Sequence, residues 1–225
     1  MSSELIVSYD GTPNDDDALA LGRLLAKTGA ALALAYIRHS REFDPRREEL
    51  AQHDAERRLE SGVAWLGDPA ISKHVVFSGG TGEGLEQLAE AEEAAVIVFG
   101  SDYRTPPGRS EPGTSAQRLL DGGGPVAIAV AAAGLRSQGD AEIKTIAVSS
   151  VDGDTAARQT AESLAEKLGA SIVELGGRAA DLIVVGSPPN ASSRRISLSG
   201  AARSALNTAA GGSVLVVPSG EPVRL

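Results

Sequence analysis

The feature that most limits how this chain can fold is a short apolar run ending in a glycine and a hydroxyl, and it occurs twice. Ala95-Val-Ile-Val-Phe-Gly-Ser101 has a counterpart in Asp181-Leu-Ile-Val-Val-Gly-Ser187. Four or five β-branched or aromatic residues bounded by a turn signal suit a strand buried on both faces of a parallel sheet. From Ser101 to Pro112 the chain is polar and rich in Pro and Gly, which predicts a loop. Gly113-Thr114-Ser115 then opens a helical pattern, Ala116 to Leu120. Free backbone N–H groups at such a helix start, beside two hydroxyls, favour an anion. A capped helix after a long loop is the plain alternative.

Around the first of these runs, apolar strands alternate with amphipathic helices. Leu5 to Tyr9 reads as strand one, Asp10 to Asn14 as its turn, and Asp15 to Lys27 as a helix with Ala18, Leu21, Leu24 and Leu25 at helical spacing. The acids at its start suit the helix dipole. Ala31 to Ile37 is strand two, and Glu48 to Leu66 helix two, with Trp65 packing at its end. His74 to Phe77 is strand three, Gly84 to Ala91 helix three, Val96 to Phe99 strand four, Ser115 to Leu120 helix four, and Val126 to Val130 strand five. Such alternation implies an α/β fold with a parallel sheet covered on both faces.

Residues 131 to 142 are small and polar, and they read as a linker. Beyond them the pattern restarts in shorter form. Ile143 to Ser150 parallels strand one, Thr155 to Leu168 helix one, and Leu164-Ala-Glu-Lys-Leu-Gly-Ala170 echoes Leu24-Leu-Ala-Lys-Thr-Gly-Ala30. This internal repeat indicates duplication. Ser171 to Leu175 follows as a second strand, and only Gly176 to Ala180 leads on to Asp181. So short a connection cannot hold the helix, strand and helix of the first half, and the second unit is a reduced copy. The domains are therefore expected at 1–134 and 143–225.

Composition narrows the function classes. The net charge of −9 disfavours non-specific binding to nucleic acid or an anionic membrane. With no Cys there is no disulfide framework, thiolate nucleophile or Cys-based metal site. The start of the chain lacks a signal-peptide pattern and no apolar run is long enough to span a bilayer. A soluble, cytoplasmic protein is expected.

Gly100, two residues, Tyr103, nine residues, then Gly113-Thr114 resembles the nucleotide-binding pattern of the universal stress protein family, Gly-x2-Gly-x9-Gly-Ser/Thr. Three of its four positions match. Tyr103 replaces the second glycine, where a side chain crowds or redirects a ligand. The resemblance covers nearly the whole chain as a tandem pair. It implies a Rossmann-like, adenine nucleotide alpha hydrolase-like fold, a five-stranded parallel sheet of order 3-2-1-4-5, and units that pair through their last strands. Here Val126 to Val130 would meet Ser213 to Val217 in an intramolecular pseudo-dimer, with further homodimerisation left open.

The family also implies site residues. Asp10 matches the aspartate that reaches the base and ribose, against the plain reading of a turn aspartate. Ser8 stands at the mouth of the same cleft. Ile37 matches an apolar position against adenine, and Phe99 ends the strand that leads into the loop. Gly100, Tyr103, Gly113, Thr114 and Ser115 match ribose- and phosphate-contacting positions. The implied ligand is ATP, or AMP or ADP, optionally with Mg2+. In the second unit Gly186, Pro189 and Gly200-Ala201 fit less well, with Ser199 a substitute hydroxyl and Asp152 displaced, so a single nucleotide site is expected, in the first unit.

Other motifs weigh less. Gly79 to Gly84 lacks the Lys-Ser/Thr of a phosphate loop and reads as a flexible turn into helix three. His39, His53 and His74 have no metal-ligand spacing, Asp15-Asp16-Asp17 reads as dipole compensation, and Arg194-Arg195-Ile196-Ser197 as a basic turn. No catalytic constellation emerges. The leading expectation is a nucleotide-binding stress-response or regulatory protein, not an enzyme, in which occupancy reshapes the Ser101 to Pro112 loop. A slow ATPase and a structural tandem protein without nucleotide are the alternatives.

Overall fold

The computed structural model describes residues 4–149, 155–175, 180–188, 194–198 and 212–225. Its strands are β1 (Glu4–Ser8), β2 (Ala31–Arg38), β3 (Ser72–Phe77), β4 (Ala94–Phe99), β5 (Ala127–Val130), β6 (Thr145–Ser149), β7 (Ser171–Val173), β8 (Leu182–Val185) and β9 (Ser213–Val216). Its α-helices are α1 (Pro13–Ala26), α2 (Pro45–Leu66), α3 (Thr81–Ala91), α4 (Thr114–Gly122) and α5 (Ala156–Leu168). The strands form one sheet of order β3-β2-β1-β4-β5-β9-β8-β6-β7. The predicted order 3-2-1-4-5 stands at one side of it. All pairings within it are parallel except β5–β9, which is antiparallel with Ala129 opposite Leu215. The second half runs 2-1-4-5 in the same sense, and among the described residues no strand lies beyond β7 at its edge.

Both faces of the sheet are buried, which explains the near-continuous apolar strands. Along β4, Val96 and Val98 point into one apolar cluster with Leu5, Leu19, Leu21 and Leu59. Ile97 and Phe99 point into the other with Ile6, Ile37 and Leu85. Both clusters run on into the second half, through Ile146 and Leu164 on one face and Ile183 and Val185 on the other. Truncating a fully buried leucine such as Leu59 costs about 2–5 kcal/mol.

Helices α1 to α4 start one to three residues earlier than periodicity predicts, and at α2 a side-chain cap sets the start. Asp44 accepts the N–H groups of Arg46 (2.8 Å) and Arg47 (3.4 Å), so α2 begins at Pro45. The turn expected over Gly79 to Gly84 is corrected. Thr81 already opens α3, and Gly82 and Gly84 lie buried within it. A Cβ on Gly84 would come within 2.8 Å of Ser78 Cβ and 3.1 Å of Ile37, so this glycine serves close packing against β2.

The linker is not loose. It holds a 3-10 turn, Leu135–Ser137, tied to α1 through Asp17. That carboxylate, 1% exposed, accepts Gly134 N–H (2.9 Å), Arg136 N–H (2.8 Å) and the Arg136 guanidinium (2.7 Å). Dipole compensation therefore does not describe Asp17. Trp65 packs against the core with the Arg23 guanidinium 4.9 Å from its ring centre.

Candidate functional site

Parallel sheets of this kind bind ligands outside the carboxyl ends of their strands, where the connections diverge. A cavity of about 410 Å3 opens there above β1, β2 and β4, within the range of small-molecule sites. Ser8, Asp10, Ile37, Phe99, Gly100, Tyr103, Gly113, Thr114 and Ser115 all line it. Three separate connections bring them together: β1 to α1, β2 to α2, and the long β4 to α4 loop.

Gly100 ends β4 against the start of α1. A Cβ there would lie 2.1 Å from the Asn14 carbonyl oxygen, so only glycine lets strand and helix meet. Gly113 is different. It is the N-cap of α4 with extended backbone, and a Cβ on it would meet nothing within 4 Å. Beyond it the first-turn amides of Thr114, Ser115 and Ala116 have no intrahelical acceptor, and all three residues line the cavity.

The loop between these glycines is a pinned hairpin. Ser101 and Pro112 form a bridge, and Asp102 N–H donates to Glu111 O at 2.8 Å. The buried Ser101 hydroxyl donates to Ala131 O (2.6 Å) and accepts Glu111 N–H (3.1 Å). Tyr103 leaves this fixed backbone 70% exposed, with the Arg104 guanidinium 4.8 Å from its ring centre. It borders the cavity without filling it.

Asp10 and Asp15 form an acid pair on the opposite wall. Asp15 Oδ2 accepts Asp10 N–H (2.8 Å) and Thr12 N–H (3.3 Å), and Asp10 Oδ1 accepts Thr12 N–H (3.0 Å). Burial, then the neighbouring Asp10 side chain, pushes the Asp15 carboxyl up to about 7. Asp10 is held below the ordinary carboxylate range, first by the hydrogen bond from Asp15. The pair thus shares one proton below neutrality, with Asp10 the more acidic of the two. Burial, then the charges of Asp16 and Asp15, raises Tyr9 to about 12 and keeps it neutral.

An ionised carboxylate repels phosphate and accepts hydroxyl or amine hydrogens. The wall at Asp10 therefore suits hydroxyl or amine hydrogens, and the amides of α4 suit an anion.

No family model matches the sequence, and no curated protein matches it. Solved structures do. A universal stress protein from Archaeoglobus fulgidus DSM 4304 superposes with a TM-score of 0.71 over 98% of this chain and 100% of that one, at 12% identity. The fold is that of the universal stress proteins. A second structure, a putative universal stress protein from Pseudomonas aeruginosa UCBPP-PA14, gives a TM-score of 0.59 over 96% of this chain and 93% of that one, at 16% identity. A universal stress protein in complex with cAMP aligns over 43% of this chain and 75% of that one, at 19% identity and a TM-score of 0.36.

In this universal stress protein fold the cavity also takes residues that the sequence pattern missed. His39 lines it, with Nδ1 3.1 Å from Ser78 O and Nε2 3.2 Å from Thr81 Oγ1. Arg58 reaches in from α2, donating to Asp10 O at 2.8 Å while its guanidinium lies 5.4 Å from the Tyr36 ring centre. Thr81 and Asn14 contribute from two further helix starts. An exposed polar residue inside a helix, as Arg58 is, carries no local signal of such a role.

The residues expected in the second half divide. Gly186 and Ser187 follow β8 as Gly100 and Ser101 follow β4. Asp152, Pro189, Ser199, Gly200 and Ala201 lie outside the described residues. Among the described residues no group of three or more His, Asp or Glu could hold a metal ion, and no helix is long and apolar enough to cross a membrane.

Proposed function

We propose that this chain is a tandem universal stress protein that holds one adenine nucleotide in its first unit and acts as a cytoplasmic regulator. One observation carries the reading: the glycine pattern of the β4 to α4 connection and the residues that the family resemblance assigns on β1, β2 and the turn after β1 line a single cavity of about 410 Å3. The adenine and ribose lie against Ile37 and Asp10, and the phosphates lie at the amides of Gly113 to Ala116. ATP is the leading ligand, with AMP and ADP as variants lacking outer phosphates. Any Mg2+ would arrive with the phosphates.

The role is binding and signalling in place of turnover. Both ring nitrogens of His39 lie within hydrogen-bond reach of Ser78 O and Thr81 Oγ1, and the Asp10–Asp15 pair is engaged with backbone amides. The two-unit division is supported by hydrogen bonds that recur at one constant offset. Ser101 Oγ donates to Ala131 O as Ser187 Oγ does to Val217 O, and Glu111 N–H donates to Ser101 Oγ as Ser197 N–H does to Ser187 Oγ.

The test is mass spectrometry of the supernatant after denaturing protein purified without added nucleotide. A stoichiometric adenylate supports the reading, and its absence together with failure of ATP to bind the purified protein overturns it. Phosphate release from ATP that disappears in Thr114→Ala would instead establish a slow ATPase.

A further inference from the structure

We propose that the second half positions the nucleotide loop of the first, with Ser110 and Gly212 as the positioning residues, although neither lines the cavity. This rests on the nucleotide reading of that cavity for its functional consequence. The structural part stands by itself.

The loop has two ends with different surroundings. At Ser101 to Tyr103 and again at Gly113 it borders the ligand cavity. Between them, at Gly108 to Ser110, it is built into the seam between the halves. Gly108 N–H donates to Ala133 O (2.8 Å), and Ala133 N–H returns to Arg109 O (2.8 Å). Gly212 N–H donates to Gly108 O (3.2 Å), and the Ser110 hydroxyl, 9% exposed, donates to Gly212 O (2.7 Å). Ser110 is three positions from the Gly113 cap, so its anchor fixes where α4 presents its amides.

Gly212 is itself fixed. Its φ of +100° suits glycine alone, and a Cβ on it would fall 1.9 Å from Ala180 O. Just beyond it β9 pairs with β5 and with β8. The loop is thus held by the sheet of the other half. A matching contact runs the opposite way, where Ile196 N–H donates to Gly124 O (3.0 Å) and the Arg195 guanidinium to Gly123 O (3.4 Å). Each half steadies a connection of its neighbour. A reduced second copy without a ligand of its own therefore still has a role in binding, because the first site is completed by its scaffold.

The experiment uses the full chain and compares Ser110→Ala with Ser213→Ala. Ser213 Oγ accepts Ala132 N–H (3.1 Å) at the same seam without touching the loop, so it controls for loss of seam stability alone. Hydrogen exchange without ligand is expected to speed up about five- to tenfold over residues 101–112 in Ser110→Ala and to stay unchanged there in Ser213→Ala. ATP affinity is expected to fall by a similar factor in Ser110→Ala only, through faster release, with Ser110→Thr restoring it. Unchanged loop exchange in Ser110→Ala overturns the proposal, as does equal loosening in Ser213→Ala. Faster exchange with unaltered ATP affinity also overturns it. If ATP binds none of the proteins, the nucleotide reading falls, while the exchange arm still decides whether the second half holds the loop.

Discussion

Gly100 and Gly113 belong to one sequence pattern, yet the structure gives them opposite reasons, and paired alanine substitutions separate them. In Gly100→Ala the new Cβ would stand 2.1 Å from Asn14 O and 2.6 Å from Asn14 C. Those are backbone atoms, so relief requires α1 to move away from β4. Overpacking of this kind costs about 1–3 kcal/mol, and a contact this short on backbone puts the cost near the top of that range. At about 2–4 °C per kcal/mol for a chain of this size, the melting temperature should fall by roughly 6–12 °C. Gly113→Ala adds a methyl into open space at φ −68°. Its poorer capping costs about 0.5–1 kcal/mol, offset by about 0.4–1 kcal/mol from the stiffer unfolded chain. Stability should therefore change little, while that methyl obstructs a phosphate at the α4 amides. Differential scanning calorimetry with ATP titration of both variants reads the two effects. A Gly113→Ala protein that melts as low as Gly100→Ala, or a Gly100→Ala protein with wild-type stability, would refute the reasoning.

Further outcomes follow from the same coordinates. Asp15 ionises near pH 7 in the folded state against 3.8 for the ordinary group, so its contribution to stability is complete below pH about 4 and is lost as pH rises to about 7. Thermal melts from pH 4 to 8 should show Asp15→Asn gaining on wild type across that window, and a constant difference would contradict the raised value. Asp17→Ala leaves two amides without their buried acceptor and frees the one-third-exposed Arg136 guanidinium, costing about 2 kcal/mol, read as a melting temperature lower by roughly 4–8 °C. An unchanged melt would show that the linker is not anchored there. Tyr103→Gly should leave ATP affinity within about threefold, because the exposed ring borders the cavity without filling it. A tenfold gain would show that Tyr103 obstructs the site.

Short-range signals made the first half legible. Apolar strands ending at Gly100 and turn residues after β1 mark the cavity because each depends on neighbours in sequence. The capped starts of α2 and α3 were misplaced by about a turn because Asp44 and Gly80 act before the apolar period begins. Asp17, His39 and Arg58 were misread or missed for one shared reason. Their partners lie far away in sequence, at Arg136, Thr81 and Asp10, and no local pattern encodes such pairings. Residues 131 to 142 read as a linker because they are small and polar without an apolar period, yet Ala131 and Ala132 are buried.

Isothermal titration of the full-length protein with ATP, beside Asp10→Ala, tests the nucleotide reading most directly. A saturable one-site heat is predicted for wild type, with affinity about tenfold weaker once the carboxylate at the ribose end is gone. No heat from wild type up to about 1 mM ATP, a concentration at which even binding of about −4 kcal/mol registers, would contradict it.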